Sequence, residues 1–399
     1  MTRWRAAVLS GLVALLAVWG VGPNLAPTAS QAQAQDQGSV CVYFDQTGQG
    51  DLSFNDMAAL GAERAAEEFG LNVEFTTAQS EASYLPDLQS FARSGDCVVI
   101  IGVGFLLQDA LPQAASQFPD QNFALIDGTS QGQSNVLGVL FREQEAGAPV
   151  GALAALVAIA HGDPLIGAIG GAEIPPVWRY EAGYRFGAHW AADWYNTYIG
   201  SDASIGVRAS YVGRFDDPAS GKTTAEALLN AGARNILGIA GASHLGMFDA
   251  IEEANNAAGN DVGPPFGYGA DASQEWVKPG YILASGRKRV DVGTATAIEQ
   301  AVEGTFSGGD IVLGIDERGT GVSSIQDVKD FIDIAVDAGQ LEEDQTEQAL
   351  QRIIDARASV PAYAWIAVDA LTSAIEAGTV ELPDADTADQ IQQVREEYP

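Results

Sequence analysis

Two kinds of apolar spacing alternate along this chain. Short runs rich in β-branched residues are followed by longer stretches in which Ala and Leu recur at helical spacing. Val40–Phe44, Asn72–Thr76, Cys97–Ile101 and Phe123–Ile126 read as strands. Asp56–Phe69, Tyr84–Ser94 and Ala110–Gln117 read as the helices between them. That alternation predicts βαβ units and a parallel sheet. The pattern then restarts. An Ala-rich, very apolar helix over Glu145–Ala160 precedes strands at Leu165–Gly170, Ile205–Val212, Ile236–Ala240 and Phe266–Ala270. Helices at Arg179–Trp194, Thr223–Ala231 and His244–Ala257 separate them. Two successive series predict two similar lobes rather than one large sheet. Tyr281–Ser285, a helix over Val290–Glu303 and a strand-like Ile311–Ile315 follow. Helices near Ser324–Ala338 and Leu341–Ala356, and one running to Ala377, complete the pattern. The polar tail from Asp384 is expected to be loosely held.

The beginning of the chain has a different character. Arg3 and Arg5 precede an apolar run from Ala6 to Val21, and a small-residue and Gln stretch ends at Ala32-Gln33-Ala34. That order predicts a secretory signal peptide over residues 1–34, cleaved near Ala34. The competing reading is an uncleaved membrane anchor, which Gly20, Gly22 and Pro23 disfavour by breaking a run already short for a span. With no Cys near the cleavage site, lipid anchoring is not expected. The protein is expected to be periplasmic or extracellular.

Charge narrows the partners. Asp and Glu number 53 against 20 Lys and Arg, for a net charge of −33. Such a field repels nucleic acid and anionic membranes. Dispersed acids with few Lys suggest salt adaptation, external ions screening the surface repulsion. An acidic surface that binds cations is the alternative, but there is no Ca²⁺-loop spacing. Cys41 and Cys97 open β-like runs. They could pair in an oxidising compartment or remain buried thiols, and the sequence leaves both open. His161, His189 and His244 are scattered, so no metal site and no cofactor are expected.

Loops at the carboxyl ends of strands surround the crevice of an open parallel sheet. The first such loop, Asp45–Asp56, combines Gly48 and Gly50 with a carboxylate at Asp45, a flat ring at Phe54 and an amide at Asn55. Its spacing fits neither a Walker loop nor a dinucleotide fingerprint, and its bland reading is a Gly-rich turn with Ser53 or Asn55 as helix cap. Asp127 ends the Phe123 strand, and Phe215 sits in the Tyr211–Lys222 loop. Asp271 follows the Phe266 strand. Arg287, Lys288 and Arg289 open a helix. Each alone reads as cap, turn or solvated charge; together they gather two aromatics, several acids and a basic cluster.

Several stretches in order resemble the basic-membrane-protein family of ABC-transporter substrate-binding proteins, which includes purine-nucleoside-binding lipoproteins. They are Asp51–Asp56, Ile101–Phe105, Phe141–Glu145, Ile169–Gly171, Tyr180–Tyr184, Tyr211–Lys222, Gly246–Ala250, Lys288–Asp291 and Ala377–Pro383. The resemblance implies an α/β, type I periplasmic-binding-protein fold: two doubly wound parallel-sheet lobes joined by a three-crossover hinge. Lobe one would comprise 38–143 plus 285–310, and lobe two 144–284 plus 311–399. It further implies that Phe54 and Phe215 stack on a base and that Asp45, Asp127 and Asp271 accept hydrogen bonds from ribose hydroxyls or base N–H groups. Asn55 and Lys288 would complete the polar contacts. A monomer would hand its nucleoside to membrane permease subunits and do no chemistry on it.

The chain departs from the family pattern at three places. The lipid-anchoring Cys is missing, Arg214 and Trp178 stand where smaller or different residues are expected to shape the pocket, and the acidic segment around Glu342–Glu347 is long. Other classes stay in view. A nucleoside hydrolase would need a metal-binding Asp run, which is missing. A sensor for a membrane signalling protein would use the same hinge closure, and another polar solute such as a sugar would use similar acids.

Overall fold

The computed structural model describes residues 38–399; the signal-peptide expectation lies outside them. Two six-stranded sheets form the framework. The first orders its strands β11-β5-β4-β3-β1-β2, the second β12-β10-β9-β8-β6-β7. The strands are β1 (Ser39–Phe44), β2 (Asn72–Thr77), β3 (Cys97–Val103), β4 (Phe123–Ile126), β5 (Val136–Phe141), β6 (Leu165–Gly170), β7 (Gly206–Tyr211), β8 (Asn235–Ile239), β9 (Phe266–Asp271), β10 (Ile282–Lys288), β11 (Gly309–Leu313) and β12 (Thr320–Val322). All pairs are parallel except β10 with β12. Helices cover both faces, so central strands such as β4, β8 and β9 are buried at every residue, as parallel sheets require. The edge strand β2 alternates instead.

The helices are α1 (Phe54–Phe69), α2 (Tyr84–Ser94), α3 (Ala110–Ala115), α4 (Glu143–His161), α5 (Pro175–Ile199), α6 (Pro218–Asn230), α7 (Ser243–Ala258), α8 (Val290–Glu303), α9 (Ile325–Asp337), α10 (Thr346–Ser359), α11 (Ala362–Glu376) and α12 (Ala388–Glu397). Helix α4 is apolar all round because it is the buried spine of the second lobe. Its Gly147 and Gly151 meet Gly183 and Gly187 of α5 so closely that a Cβ at any of the four would run into backbone of the partner helix. No single helix among the described residues is long and apolar enough to cross a membrane.

The chain passes between the sheets three times: at Arg142 after β5, at Arg289 after β10, and between β11 and β12. The last two crossings differ from the expected boundaries. Ser285–Lys288, expected in lobe one, completes β10 of the second sheet, and Ile311–Leu313, expected in lobe two, lies in β11 of the first. Strand β5 was not expected. Gly138 interrupts its apolar run, and a Cβ there would meet Asp310 and the Gly128–Ser130 backbone. Helix α5 starts before the expected Arg179 because two prolines occupy its first turn.

Cys41 and Cys97 form a disulfide between the neighbouring strands β1 and β3, their Cα atoms 5.7 Å apart. The pairing of these strands shifts register between Ser39 and Val40. The tail, expected to be loose, is held. In α12, Ile391 and Val394 are buried against α5. Arg395 reaches the buried Glu181 carboxylate at 2.8 Å, and the amide of Val207 donates to the carbonyl of Pro399.

Candidate functional site

The carboxyl ends of both sheets face one cleft. Its lining includes all seven residues singled out from sequence: Asp45, Phe54, Asn55, Asp127, Phe215, Asp271 and Lys288. The space between protein atoms, open solvent at its mouth included, is about 580 Å³. Strands β4 and β9 occupy the same position in their respective sheets. An aspartate with left-handed backbone stands at the carboxyl end of each, Asp127 directly after β4 at φ 65° and Asp271 as the last residue of β9 at φ 66°. Such torsions are uncommon outside glycine and are tolerated best by Asp and Asn. They turn the chain sharply at the rim, so the lobes present matching carboxylates to one space.

The loop after β1 is organised by its own acids. The buried carboxylate of Asp51 accepts from the amides of Ser53 (3.0 Å), Asn55 (3.0 Å) and Asp56 (3.2 Å). Asp51, and neither Ser53 nor Asn55, therefore satisfies the open amides at the start of α1. The hydroxyl of Ser53 crosses instead to the second lobe, donating to the carbonyl of Ala270 (2.9 Å) and to Asp271 Oδ2 (3.0 Å). Gln274 Nε2 adds a contact to the carbonyl of Leu52 at 2.9 Å. Asn55 spends its amide nitrogen on the carbonyl of Gly48 at 2.7 Å, which leaves Oδ1 for the cleft.

The rings come from opposite lobes. Phe54 opens α1, and Phe215 lies in the loop between β7 and α6. Phe215 rests over Gly171 and Gly241, and a Cβ at Gly171 would overlap its ring. Of the three expected cations, only Lys288 enters the cleft. Arg287 pairs with Asp327 at 2.6 Å, and Arg289 grips Asp291 with two contacts of 2.8 Å. Arg289 caps α8, whereas Arg287 and Lys288 end β10, so the three do not act as one cluster. Lys288 Nζ donates to Asp127 Oδ2 at 2.6 Å and to Glu143 Oε1 at 3.1 Å, lies 3.9 Å from Asp271, and sits 4.7 Å from the centroid of the Phe54 ring. Its capacity is taken up by carboxylates of both lobes.

Burial and charge oppose one another here. Burial alone would depress the Lys288 ammonium, but Asp127, Glu143 and Asp271 outweigh it and raise the pKa. Burial raises Asp271 against the pull of Lys288. Asp45, buried and fixed by the amide of Thr47 at 2.8 Å, is raised by desolvation. Asp51 is pushed up to about 7 by burial and by the charge of Asp56.

Sequence reasoning assigned no role to Glu143 or Tyr180. Glu143 is fully buried and joins Lys288 to Arg179, the latter at 2.5 Å. Tyr180 lines the cleft and donates to the carbonyl of Gly286 (2.9 Å) and to Asp271 Oδ1 (3.3 Å). Both stand inside helices, so reading only the loops after strands passes over them. Arg214 and Trp178, expected to reshape the pocket, are outside its lining. Arg214 is exposed and paired with Asp216, and Trp178 packs beside α12.

Residues 39–358 match the family model described as ABC transporter substrate-binding protein PnrA-like. A protein of Pyrococcus abyssi named an uncharacterized lipoprotein is 39% identical over 357 residues, 89% of this chain and 86% of its own. That name is a point against the expectation of a protein without a lipid anchor. The ABC transporter nucleoside-binding protein BmpA of Lactococcus lactis is 28% identical over 334 residues, covering 80% of this chain and 88% of its own. The crystal structure of an ABC transporter system solute-binding protein from Aeropyrum pernix superposes with a TM-score of 0.83 at 42% identity, over 90% of this chain and 97% of that one. Two doubly wound lobes with a shared cleft, and a family match over most of the chain, lead to one conclusion. This chain belongs to the basic-membrane-protein (PnrA-like) family of ABC-transporter substrate-binding proteins, extracytoplasmic solute binders that pair with membrane permeases and are not enzymes.

Proposed function

We propose that the cleft captures a nucleoside, most favourably a purine nucleoside, and delivers it to the permease. The carrying observation is a cleft lined by aromatic rings of both lobes, Phe54 and Phe105 from the first and Phe215 and Tyr180 from the second, with a carboxylate at the carboxyl end of three strands, Asp45, Asp127 and Asp271. A flat heterocycle between Phe54 and Phe215 gains about 0.5–1.5 kcal/mol per ring beyond buried area. Vicinal hydroxyls donate to carboxylates in charge-assisted hydrogen bonds, which are the strong kind. The name of the Lactococcus relative, a nucleoside-binding protein, supports the same ligand class.

Thermal unfolding with inosine, guanosine and adenosine, beside arabinose and amino acids, tests the reading. Nucleosides should raise the melting temperature through binding to the folded state alone. A clear shift with a sugar or an amino acid, and none with any nucleoside, would reject the ligand class.

A further inference from the structure

We infer that the ligand-free cleft holds one proton on Asp127 and releases it to solvent when a hydroxyl-bearing ligand docks there, so that capture is coupled to pH. The ligand's identity rests on the nucleoside reading; the proton does not.

Asp127 follows β4, Asp271 ends β9 and Glu143 opens α4, and all three surround the single ammonium of Lys288 from β10. The only other cation in this group is Arg179 of α5, which shares its guanidinium between Glu143 and Asp386. Asp45 and Asp51, from the β1–α1 loop, add negative charge to the same cleft. Carboxylates outnumber cations in a buried cluster, where an uncompensated charge is costly.

A proton in the cluster needs a carboxylate oxygen that no donor already occupies. Glu143 accepts from Lys288 on Oε1 and from Arg179 on Oε2. Asp271 accepts from Tyr180 on Oδ1 and from Ser53 on Oδ2. Burial raises Asp51 as well, but both of its oxygens accept from backbone amides of its own loop, so a ligand hydroxyl finds neither without a partner. Asp45 accepts from Thr47. Asp127 differs: Oδ2 meets Lys288, but Oδ1 is buried with no hydrogen-bond partner. A buried carboxylate oxygen without a donor is the atom where protonation relieves most. Burial pushes the Asp127 carboxyl up to about 7 against the opposing pull of Lys288. Tyr180 is raised well above the ordinary phenol value by burial and stays a donor at neutral pH.

A ligand hydroxyl donating to Oδ1 supplies the missing partner. It favours the carboxylate, and the proton leaves to buffer. Affinity should then fall as pH drops below about 7, by at most about tenfold per pH unit. Two measurements test this. In protein labelled with ¹³C at the Asp carboxyls, the ligand-free form should show near-neutral midpoints for Asp127 and Asp51, of which only the Asp127 one disappears in Asp127→Asn. If no near-neutral midpoint is lost in the variant, the proposal is wrong. Calorimetry of inosine binding in phosphate and in Tris buffer at the same near-neutral pH should give different heats in wild type and equal heats in Asp127→Asn. Binding with equal heats in wild type overturns the proton coupling and leaves the nucleoside reading standing. A titrating Asp127 with no heat from any nucleoside removes the nucleoside reading and supports the bound proton.

Discussion

Phe54 and Phe215 are half-buried at the cleft and carry no backbone duty, so truncating either should cost binding far more than folding. Phe54→Ala and Phe215→Ala should each weaken nucleoside affinity by about tenfold or more, with the unfolding midpoint nearly unchanged. An unaltered dissociation constant would exclude stacking. Gly171→Ala probes the same ring without touching the ligand. The added Cβ displaces Phe215, and affinity should fall while Phe215 itself is intact. His244 bears on stability instead. It is fully buried, its Nδ1 facing the amide of Ala240 and its Nε2 facing Gln274, and burial lowers it to about 3. The folded state therefore refuses a proton that the unfolded chain takes up below about 6.5. The stability this group contributes is full above that pH and declines as pH falls toward about 3, by at most about 1.4 kcal/mol per unit. The raised carboxyls of Asp51 and Asp127 act with the opposite sign, so the His244 effect is read as the difference in melting temperature between wild type and His244→Gln from pH 7 downward. Parallel curves would refute it.

Among the elements, the β1–β3 pair and the last helix show how local patterns gain meaning from packing. The Cys41–Cys97 bond closes a segment with a sequence separation of 56. Constraint of the unfolded chain by such a loop contributes about 4 kcal/mol, and the double Cys→Ala variant should lose roughly that amount in urea unfolding. Helix α12 was legible as polar, and polarity suggested a loose tail. Its Arg395, however, is a partner of the buried Glu181, which also holds Arg185 at 2.7 Å. Removing residues 384–399 strips that contact and exposes the face of α5, and should cost on the order of 3 kcal/mol. A truncated protein with unchanged urea midpoint would mean the tail is dispensable. Most helices and strands were readable from periodicity because each has a long apolar face. Strand β5 and the start of α5 were not, because Gly138 and the Pro175–Pro176 pair have a meaning set by their neighbours.

For the molecule as a whole, two properties follow from the arrangement of the lobes and the charge. The lobes touch through Ser53 with Ala270, Gln274 with Leu52, and Lys288 with Asp127, while only three strands of chain join them. Hinge closure about such crossovers predicts a smaller radius of gyration in solution scattering once the ligand is added, and identical scattering curves would argue against closure on binding. A net charge of −33 repels itself across the surface. Molar salt shortens the screening length to about 3 Å, so the melting temperature should climb as sodium or potassium chloride is raised. A flat response would set aside the salt-adapted reading.

Sequence alone determined the α/β class, the two-lobed plan and seven residues of the cleft, because strand-end loops in doubly wound sheets have few places to go. It also carried enough ordered motif to indicate the family. Tertiary structure decided what no spacing encodes: that Asp127 and Asp271 are equivalent tips of two sheets, that Lys288 is held by Glu143 beneath the cleft, that one of three adjacent basic residues turns inward, and that the cysteines join. Periodicity reports which face of an element is buried. Which charges share a buried space depends on distances between segments far apart in the chain, and only the packed fold sets those.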